Sequence, residues 1–566
     1  MKKETLSTVY SEHMDKKQPW NDYPRPNLVR NSFYSLNGEW DFAFSQKEPE
    51  FYLKKILVPF PPESALSGIE SSHTDKEKLY YRRTFTLPKN FSKEKTILHF
   101  GAVDQICEVI LNGVYIGRHE GGYIPFSFDV TDFVYECENE IKVICEDSLS
   151  LKFPYGKQTK KRGGMWYTPV SGIWQTVWLE SLPENAIEDI KITPSVTEAK
   201  IEIKSNAEKI KITLHDSVET FESENGSFVI APKNPRLWTP ESPYLYRFTA
   251  ETQSDKVESY FALREIGIKK CGEITRLTLN GKPYLFNGLL DQGYFPDGIF
   301  LPATSEGYKC DIMAAKALGF NMLRKHIKIE PAVFYYLCDS LGMIVFQDMV
   351  NNSDYSFLRD TALPTLGLKR LSDKKLHKDP ESRKIFRDTM REAIDLLYNY
   401  PSVVYYTIFN EGWGQFTADE VYREAKSLDP TRIYDATSGW FWQSESDVDS
   451  HHVYFKKLRV KINPDKPCVI SEFGGYSHRC EGHLFGENNY GYKTFKTQKE
   501  LESAIASLYE KEVLPLVKKG VSALVYTQLS DIEDETNGLL TYDRRVVKTD
   551  SEALCDLLNK LKETVQ

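Results

Sequence analysis

Two glutamates in this sequence follow short apolar runs of the kind that form buried β-strands. Val403–Phe409 leads into Asn410 and Glu411, and Cys468–Ile470 leads, one residue later, into Glu472. Cleavage of a glycosidic bond uses two such carboxyl groups, because one protonates the leaving oxygen while the other attacks the anomeric carbon. A lone glutamate at a strand end is often only a loop cap or a surface charge. Two of them, at the ends of two strands in one domain, indicate glycoside chemistry more specifically.

The elements that must position these glutamates begin at about residue 269, where strand-like and helical patterns start to alternate. Repeating strand–helix units predict a parallel (β/α)8 or TIM barrel, in which chemistry lies at the C-terminal ends of the strands. The predicted helices are Gly307–Leu318, Pro331–Leu341, Arg383–Tyr398 and Asp419–Leu428, and the predicted strands are Asn321–Arg324, Met343–Gln347, Val403–Phe409, Arg432–Tyr434, Pro467–Ile470 and Ser522–Thr527.

Two β-rich stretches precede the barrel. Short alternating runs between about residues 28 and 182 predict a jelly-roll-like β-sandwich, and Asn112-Gly113 predicts a hairpin within it. A second such stretch, which contains a Pro-rich passage, predicts an immunoglobulin-like β-sandwich. The predicted strands are Gly38–Phe44, Tyr80–Leu87, Thr96–Phe100, Glu108–Leu111, Ile124–Val130, Ile141–Cys145 and Ile173–Leu179 in the first, and Ala199–Ile203, Lys209–Leu214 and Phe228–Ala231 in the second. We therefore place the domains at 1–182, 183–268 and 269–566.

Composition weighs against several other classes of function. The 566 residues carry a formal net charge of -9, whereas proteins that bind nucleic acid or anionic membranes present basic stripes. No apolar run approaches the roughly 18 residues of a membrane helix, and Met1–Trp20 lacks the apolar core of a secretory signal. The 9 cysteines are irregularly spaced, and those in apolar segments, Cys137 among them, fit buried, reduced thiols. We expect a cytoplasmic protein that binds neither nucleic acid nor membrane.

No cofactor or metal is expected from the sequence. No Gly-rich phosphate-binding loop follows a predicted strand, and no paired Cys-x-x-Cys set suggests zinc. The adjacent His451 and His452 would point to opposite faces of a strand, which disfavours a shared metal. The expected partner is a small glycoside or oligosaccharide substrate, and a homo-oligomer remains possible.

Seven groups of motifs, in chain order, resemble those of glycoside hydrolase family 2, the family of β-galactosidases, β-glucuronidases and β-mannosidases. The resemblance covers nearly the whole chain and implies the three-domain architecture predicted above. The residues that carry it are Asn37–Phe42 and Gly172–Leu179 in the first sandwich, Pro235–Pro240 and Pro243–Tyr246 in the second, and Asn280–Pro283 with Asn287-Gly288, Asn321–Arg324, Asn410-Glu411 and Ser471–Gly474 in the barrel.

The resemblance implies a role for each of five residues. Glu411 would be the general acid/base, with a raised pKa, and Glu472 the nucleophile. Asn410 would hold the substrate 2-hydroxyl, a contact that strengthens in the transition state. Arg324 would keep Glu472 ionised, although a purely structural ion pair inside the barrel would look the same from the sequence. Tyr454, at the expected end of the sixth strand, would hydrogen-bond to the nucleophile.

Other strand-end residues are candidates for substrate binding. His452 is either a substrate contact or a packed polar residue. Asp291 and Gln292 follow the first barrel strand and could bind hydroxyls at the non-reducing end, which would make the enzyme exo-acting, but Asp291 could equally be an ordinary loop carboxylate. Trp413 would be a stacking platform for a sugar if exposed, and part of the core if buried.

The sequence departs from the family where the sugar is recognised. Family β-glucuronidases carry Asn-x-Lys near the last strand, whereas the comparable stretch from Glu535 to Arg544 has no lysine, and Glu535 would repel a uronate. Lys325, Lys328 or the Lys160–Arg162 loop could supply a cation by another route. The Ser-His-Tyr-Pro that follows the second-strand arginine in β-galactosidases is also missing.

Three hypotheses of function follow. The first is a retaining exo-β-glycosidase, most simply β-galactosidase-like, with a β-hexuronidase (β-glucuronidase or β-galacturonidase) or a pentosidase as alternatives. The second is a non-catalytic carbohydrate-binding or sensory protein on the same scaffold. The third is a structural or interaction protein built from the two sandwiches, which would not require paired carboxylates in the barrel.

Overall fold

A computed structural model describes residues 6–565 of the chain. It contains two β-sandwich domains followed by an eight-stranded parallel barrel, as predicted. None of the helices in the described range is long and apolar enough to cross a membrane. All nine cysteines are free, and Cys137 is exposed, which corrects the expectation that it is buried.

The first sandwich packs a four-stranded sheet, in the order β1-β12-β5-β9, against a six-stranded sheet, in the order β3-β2-β4-β10-β7-β8. Alternate residues point inward, so that Trp40, Phe42 and Val143 are buried between the sheets. The strands are β1 (Phe33–Ser35), β2 (Gly38–Ser45), β3 (Lys54–Val58), β4 (Lys78–Thr86), β5 (Lys95–Phe100), β6 (Val103–Asp104), β7 (Ile106–Leu111), β8 (Val114–Glu120), β9 (Phe126–Asp129), β10 (Glu138–Glu146), β11 (Gly172–Ile173) and β12 (Val177–Leu182).

Two local features of this domain test the sequence analysis. The hairpin predicted at Asn112-Gly113 joins β7 to β8, and both residues have the positive φ that a tight hairpin turn requires (52° and 80°). The run Ile173–Leu179, predicted as one strand, is instead divided between β11 and β12. Trp174 interrupts it, because its fully buried indole donates to the Gly122 carbonyl (2.7 Å) and draws the chain out of the ladder.

The second sandwich pairs a three-stranded sheet, β13-β14-β17, with a four-stranded sheet, β16-β15-β18-β19. Its core is made of alternating isoleucines and aromatic residues such as Ile201, Ile212 and Phe248. The strands are β13 (Ile187–Pro194), β14 (Ala199–Ser205), β15 (Ile210–Leu214), β16 (Thr220–Ser223), β17 (Ser227–Ile230), β18 (Tyr246–Glu251) and β19 (Lys256–Phe261).

A small three-stranded sheet closes the N-terminal end of the barrel. Its strands are β20 (Ile266–Cys271), β21 (Ile274–Leu279) and β22 (Lys282–Pro283). Leu277 and Leu279 pack with Met322 and Ile344 at the starts of barrel strands. This end is therefore filled with apolar side chains, and the opposite end is left for polar ones.

The barrel strands follow the order β27-β26-β25-β24-β23-β32-β29-β28, and all are parallel. Ser450 on β28 donates to the Asp435 carboxylate on β27 (2.9 Å) across the remaining gap. The strands are β23 (Phe286–Asp291), β24 (Met322–Lys325), β25 (Ile344–Asp348), β26 (Val403–Asn410), β27 (Ile433–Ser438), β28 (Asp449–Val453), β29 (Cys468–Gly474) and β32 (Val521–Thr527), with an accessory pair β30 (Tyr476–His478) and β31 (Lys493–Phe495).

Helices surround the barrel, and the four predicted ones are present with shifted ends. The predicted helix Arg383–Tyr398 begins three residues earlier, since Asp379 caps it by accepting from the Ser382 amide (3.0 Å) and Pro380 occupies the first position. The helices are α1 (Glu306–Ala317), α2 (Ala332–Leu341), α3 (Leu363–Thr365), α4 (Pro380–Leu397), α5 (Ala418–Leu428), α6 (Gln498–Leu508), α7 (Leu514–Lys519) and α8 (Ser551–Glu563); 3-10 segments lie at Val9–His13 and Asp373–Lys375, and π segments at Phe357–Ala362 and Tyr509–Val513.

Candidate active site

Polar side chains collect at the C-terminal ends of the barrel strands, opposite the apolar end. Asp348, Asn410, Ser438 and Thr527 are the last residues of β25, β26, β27 and β32, and Glu472 lies near the end of β29. All five are buried. Because the strands are parallel, these residues form one ring around the barrel mouth.

Glu411 and Glu472 meet inside this ring, as the strand-end rule predicts. A carboxylate oxygen of each, together with a ring nitrogen of His452, lies within 4.8 Å of the others. Carboxyl groups of retaining glycosidases are about 5–5.5 Å apart, whereas inverting enzymes need roughly 6.5–9.5 Å to admit a water molecule. The spacing fits direct attack by one carboxylate.

Glu472 is held by two donors, one on each carboxylate oxygen. Arg324 Nη1 donates to Oε1 (3.0 Å), and the Tyr454 hydroxyl donates to Oε2 (2.6 Å). The Tyr454 oxygen is also 2.7 Å from Thr527 Oγ1. The two donors leave the Glu472 carboxylate with a fixed orientation.

Arg324 contacts several acceptors at once. Its Nε donates to Asp348 Oδ1 (2.9 Å), its Nη2 to Asn410 Oδ1 (2.8 Å) and its Nη1 also to the Ser471 carbonyl (2.9 Å). Although burial alone would lower it, the neighbouring Asp348 and Glu472 carboxylates raise the pKa of Arg324 above its usual value. Since arginine can only donate, it also fixes the Asn410 amide with its nitrogen free to donate elsewhere.

Glu411 differs from Glu472 in its backbone conformation and in its surroundings. It follows β26 with a positive φ of 53°, a conformation that is uncommon outside functional sites for a residue of this type. Gly412 follows at φ 78°, and a Cβ there would lie 2.3 Å from the Phe441 ring, so only glycine fits. Burial raises the pKa of Glu411 to about 7, against the lowering effects of Lys157, Arg324 and Lys369.

His452 is packed inside the site against Glu411, which fits the second of the two roles expected of it, that of a packed polar residue. Its side chain has no exposed surface, and its Nδ1 is 2.8 Å from Glu411 Oε1. Burial lowers the pKa of His452 to about 3, so the ring is neutral. An ionised Glu411 can only accept, so the ring proton is then on Nδ1, and Nε2 faces the Ser438 hydroxyl (3.0 Å) and Arg324 Nη1 (3.5 Å). Glu411 Oε2 then remains for a proton directed at a substrate.

Lys325 and Asp291, both predicted to bind substrate, instead pair with each other. Lys325 Nζ is 2.7 Å from Asp291 Oδ2 and 2.8 Å from Glu330 Oε1, and its side chain is fully buried. The Gly293 amide donates to the other Asp291 oxygen (2.9 Å). Lys328 completes this cluster, 2.9 Å from Glu330. These charges neutralise one another and are not available to a ligand.

Gln292 remains a candidate for substrate contact, whereas Trp413 belongs to the core. The Gln292 amide nitrogen donates to Gln528 Oε1 (3.1 Å), and its oxygen has no hydrogen-bond partner among the described residues. Trp413 is buried, and its Nε1 likewise lacks a partner in the described range. It packs against Trp166 with the ring centroids 5.5 Å apart.

The sequence analysis named the Lys160–Arg162 loop as a possible source of a cation but missed the other residues that the first sandwich contributes. The loop between β10 and β11 reaches across to the barrel mouth, where the Tyr167 hydroxyl donates to Glu535 and the Thr168 amide donates to Glu533 (2.9 Å). From the same loop, Lys157 Nζ lies 4.5 Å from the centroid of the Trp413 ring. The basic and aromatic composition of residues 157–167 is the signal that could have drawn attention to it.

Glu411, His452 and Glu472 also have the spacing of a metal-ligand set. However, the Arg324 guanidinium lies 3.0 Å from the Glu472 oxygen, and a divalent cation there would face this fixed positive charge. The donor set therefore suits proton transfer and nucleophilic attack better than metal binding.

Comparison with known proteins agrees with this geometry. The model described as "Glycosyl hydrolases family 2, sugar binding domain" matches residues 64–183, the family 2 model for the middle domain matches 182–264, and the family 2 TIM barrel model matches 273–547. The chain belongs to glycoside hydrolase family 2.

Relatives of this family 2 protein include enzymes with different names. The β-galactosidase of Pseudoalteromonas haloplanktis is 24% identical over 477 residues, which cover 73% of this chain and 43% of that enzyme. The β-glucuronidase of Streptococcus agalactiae is 24% identical over 530 residues, covering 80% of this chain and 84% of that enzyme. The chain thus spans about half the length of the curated β-galactosidases it matches.

Solved structures share the fold over nearly the whole chain. A β-D-glucuronidase of Dictyoglomus thermophilum has a TM-score of 0.74 at 18% identity, covering 95% of this chain and 98% of that one. A β-galacturonidase of Eisenbergiella tayi bound to galacturonate has a TM-score of 0.70 at 20% identity, covering 95% and 99%. At these identities the likeness establishes the fold.

We predict that Arg324→Met destabilises the protein by about 3–5 kcal/mol, because it leaves Asp348 and Glu472 as buried, uncompensated charges. Adding Asp348→Asn should recover part of this loss. The matched control is Arg82→Met, whose half-exposed guanidinium pairs with Asp41 at 2.8 Å and should cost at most about 1 kcal/mol. Thermal and denaturant unfolding measure the loss of stability in each variant. Equal losses for the two arginines would contradict the central role assigned to Arg324.

Proposed function

We propose that the protein is a retaining exo-β-glycosidase that acts by double displacement, with Glu411 as acid/base and Glu472 as nucleophile. The observation that carries this proposal is the approach of the two carboxylates to within 4.8 Å at the barrel mouth, with opposite environments. Glu472 accepts from Arg324 and Tyr454, while burial raises the pKa of Glu411 to about 7. One group is prepared to attack and the other to carry a proton.

In the first step, Glu472 attacks the anomeric carbon while Glu411 protonates the departing oxygen. The bond to the aglycone breaks, a covalent glycosyl ester forms on Glu472, and the leaving group departs as an alcohol. The Asn410 amide nitrogen, whose orientation Arg324 fixes, would donate to the 2-hydroxyl as positive charge develops on the ring.

In the second step, Glu411 acts as the base. Now ionised, it takes a proton from a water molecule, which attacks the anomeric carbon and releases Glu472. His452 Nδ1–H donates to Glu411 in this state as well and steadies its charge. Two inversions give net retention of the β configuration.

The identity of the sugar is a finer proposal. The curated relatives are β-galactosidases and a β-glucuronidase, and the solved relatives include β-glucuronidases and a β-galacturonidase. We place a neutral sugar such as galactose first, because Lys325 and Lys328, two of the cations considered for a uronate, are neutralised by Asp291 and Glu330. A hexuronide or a pentoside is the alternative.

Exo action is supported by the closure of the barrel mouth on one side. The sandwich loop and the segment after β32 meet through Tyr167 and Glu535, and Arg162 lies 3.6 Å from both Glu533 and Asp534. A terminal sugar fits such a closed end, whereas an internal unit of a polymer would need an open groove.

A panel of p-nitrophenyl α- and β-glycosides, neutral and uronic, tests the proposal. We expect release from a β-glycoside, reduced by about 10²- to 10⁴-fold in Glu411→Gln and at least as much in Glu472→Gln. Glu481→Gln, at a side chain that is 86% exposed, is the matched control and should retain full activity. Activity that survives Glu472→Gln would refute its role, and binding of sugars without any turnover would favour the carbohydrate-binding alternative.

The pH dependence of kcat/KM should report the protonation of Glu411. Because it must be protonated for the first step, kcat/KM should fall as pH rises through about 7. His452→Phe removes the Nδ1–H donor that favours ionised Glu411, so the pKa of Glu411 should rise and the fall should move to higher pH. His451→Phe is the control, since His451 instead lies near Asp449 (3.3 Å). If kcat/KM of His452→Phe fell at the same pH as in the wild type, or at a lower pH, the assigned contact would be contradicted.

A further inference from the structure

Lys157 is a buried cation that has no ion-pair partner among the described residues. It comes from the first sandwich, is only 6% exposed, and lies over the Trp413 ring at 4.5 Å and the Trp166 ring at 5.8 Å. The carboxylates that influence it most are those of Glu535, then Glu472 and Glu411. None of the three, as far as the described chain extends, approaches within ion-pair distance of its ammonium group.

The other lysines of the barrel mouth show how unusual this is. Lys325 and Lys328 each contact a carboxylate at 2.7–2.9 Å. Lys160, on the same loop as Lys157, is paired with Asp75 at the surface. A buried ammonium group ordinarily requires direct hydrogen-bond partners, and contact with an aromatic face offsets only part of its lost hydration. Lys157 therefore has unused donors within the substrate-binding region.

Glu535 is the carboxylate that acts most strongly on Lys157. It lies on the segment after β32 and is buried, with Tyr167 donating to one carboxylate oxygen and Asn537 donating to the other (3.0 Å). Burial raises the pKa of Glu535, and Lys157 is the cation that most strongly opposes this rise. Each carboxylate oxygen can accept a further hydrogen bond. Tyr167 links the two residues, because its amide donates to the Lys157 carbonyl (3.0 Å) while its hydroxyl donates to Glu535.

Resting on the function proposed above, we propose that Lys157 and Glu535 together bind one hydroxyl of the non-reducing-end sugar. The ammonium donates to the hydroxyl oxygen, and the hydroxyl donates to the carboxylate. A hydroxyl can do both at once, because it is a donor and an acceptor, whereas an ionised carboxylate of a uronate can only accept. The substrate class is accordingly a neutral β-glycoside.

Charge in the cluster supports a hydroxyl rather than a carboxylate. Lys157 is the foremost cation acting on Glu535, while Lys157, Arg324 and Lys369 all act on Glu411. Arg324 is already committed to Asp348 and Glu472. A uronate would add a further negative charge beside Glu535 in a desolvated site, and a neutral sugar would not.

The test combines enzyme variants with deoxy substrates. Lys157→Met and Glu535→Gln are assayed on the aryl β-glycoside that the wild type cleaves best, on its 3-, 4- and 6-deoxy analogues and on the matching uronide. Each substitution should lower kcat/KM about 10- to 100-fold on the parent, the value of one hydrogen bond to a charged group. For the one deoxy analogue that lacks the bound hydroxyl, neither substitution should change kcat/KM. Lys160→Met is the matched control, and unfolding curves establish that the variants are folded.

Two outcomes would overturn the proposal. One is a wild-type preference for the uronide that Lys157→Met alone abolishes, which would make Lys157 a carboxylate receptor. The other is an equal loss of kcat/KM for every deoxy analogue, which would make the role of Lys157 purely structural. If the wild type cleaves no glycoside, the proposed function fails, and calorimetric titration with galactose and galacturonate decides the binding proposal. Weaker galactose binding by both variants supports it; no galactose binding, or unchanged binding, overturns it.

Discussion

The guanidinium of Arg324 is the interaction on which the barrel mouth depends. A permanently charged group with almost no exposed surface must satisfy its donors inside the protein, and it does so with Asp348, Asn410, Glu472 and the Ser471 carbonyl. These acceptors come from β25, β26 and β29, on both sides of β24. One side chain thereby fixes the nucleophile, the amide beside the acid/base and the mutual register of the strands that bear them.

A second constraint is that two chemically identical side chains must behave differently. Glu472 receives hydrogen bonds from a cation and a phenol, while Glu411 receives one from a neutral imidazole and is otherwise desolvated. The surroundings of the two glutamates therefore differ, as they do wherever paired carboxyl groups have an acid and a nucleophilic role. The first sandwich contributes to the surroundings of Glu411, because Lys157 is the foremost cation acting on that carboxyl group.

Sequence analysis predicted the parts of this site that follow from position along a strand. Glu411 and Glu472 follow apolar runs that end where parallel strands open into the mouth, whereas the roles expected of Asn410, Arg324 and Tyr454 came from the resemblance to glycoside hydrolase family 2. His452 was placed on the correct strand. A strand pattern predicts the face on which a side chain lies but not the residue that it contacts, so the contact with Glu411 was missed. Lys157 and Glu535 are separated by hundreds of residues, and only the tertiary fold brings them together. Helix α6 was also missed, although Thr497 and Glu500 form a capping box that is legible in the sequence.

Trapping of the covalent intermediate tests the central claim, that Glu472 becomes glycosylated, most directly. The protein would be incubated with a 2-deoxy-2-fluoro β-glycosyl fluoride of the sugar it cleaves, digested, and sequenced by mass spectrometry. The account predicts one added fluoroglycosyl unit on the peptide containing Glu472, its absence in Glu472→Gln, and its formation in His451→Phe. A label on any other residue, or inactivation without a covalent adduct, would contradict the double-displacement mechanism proposed for this pair of glutamates.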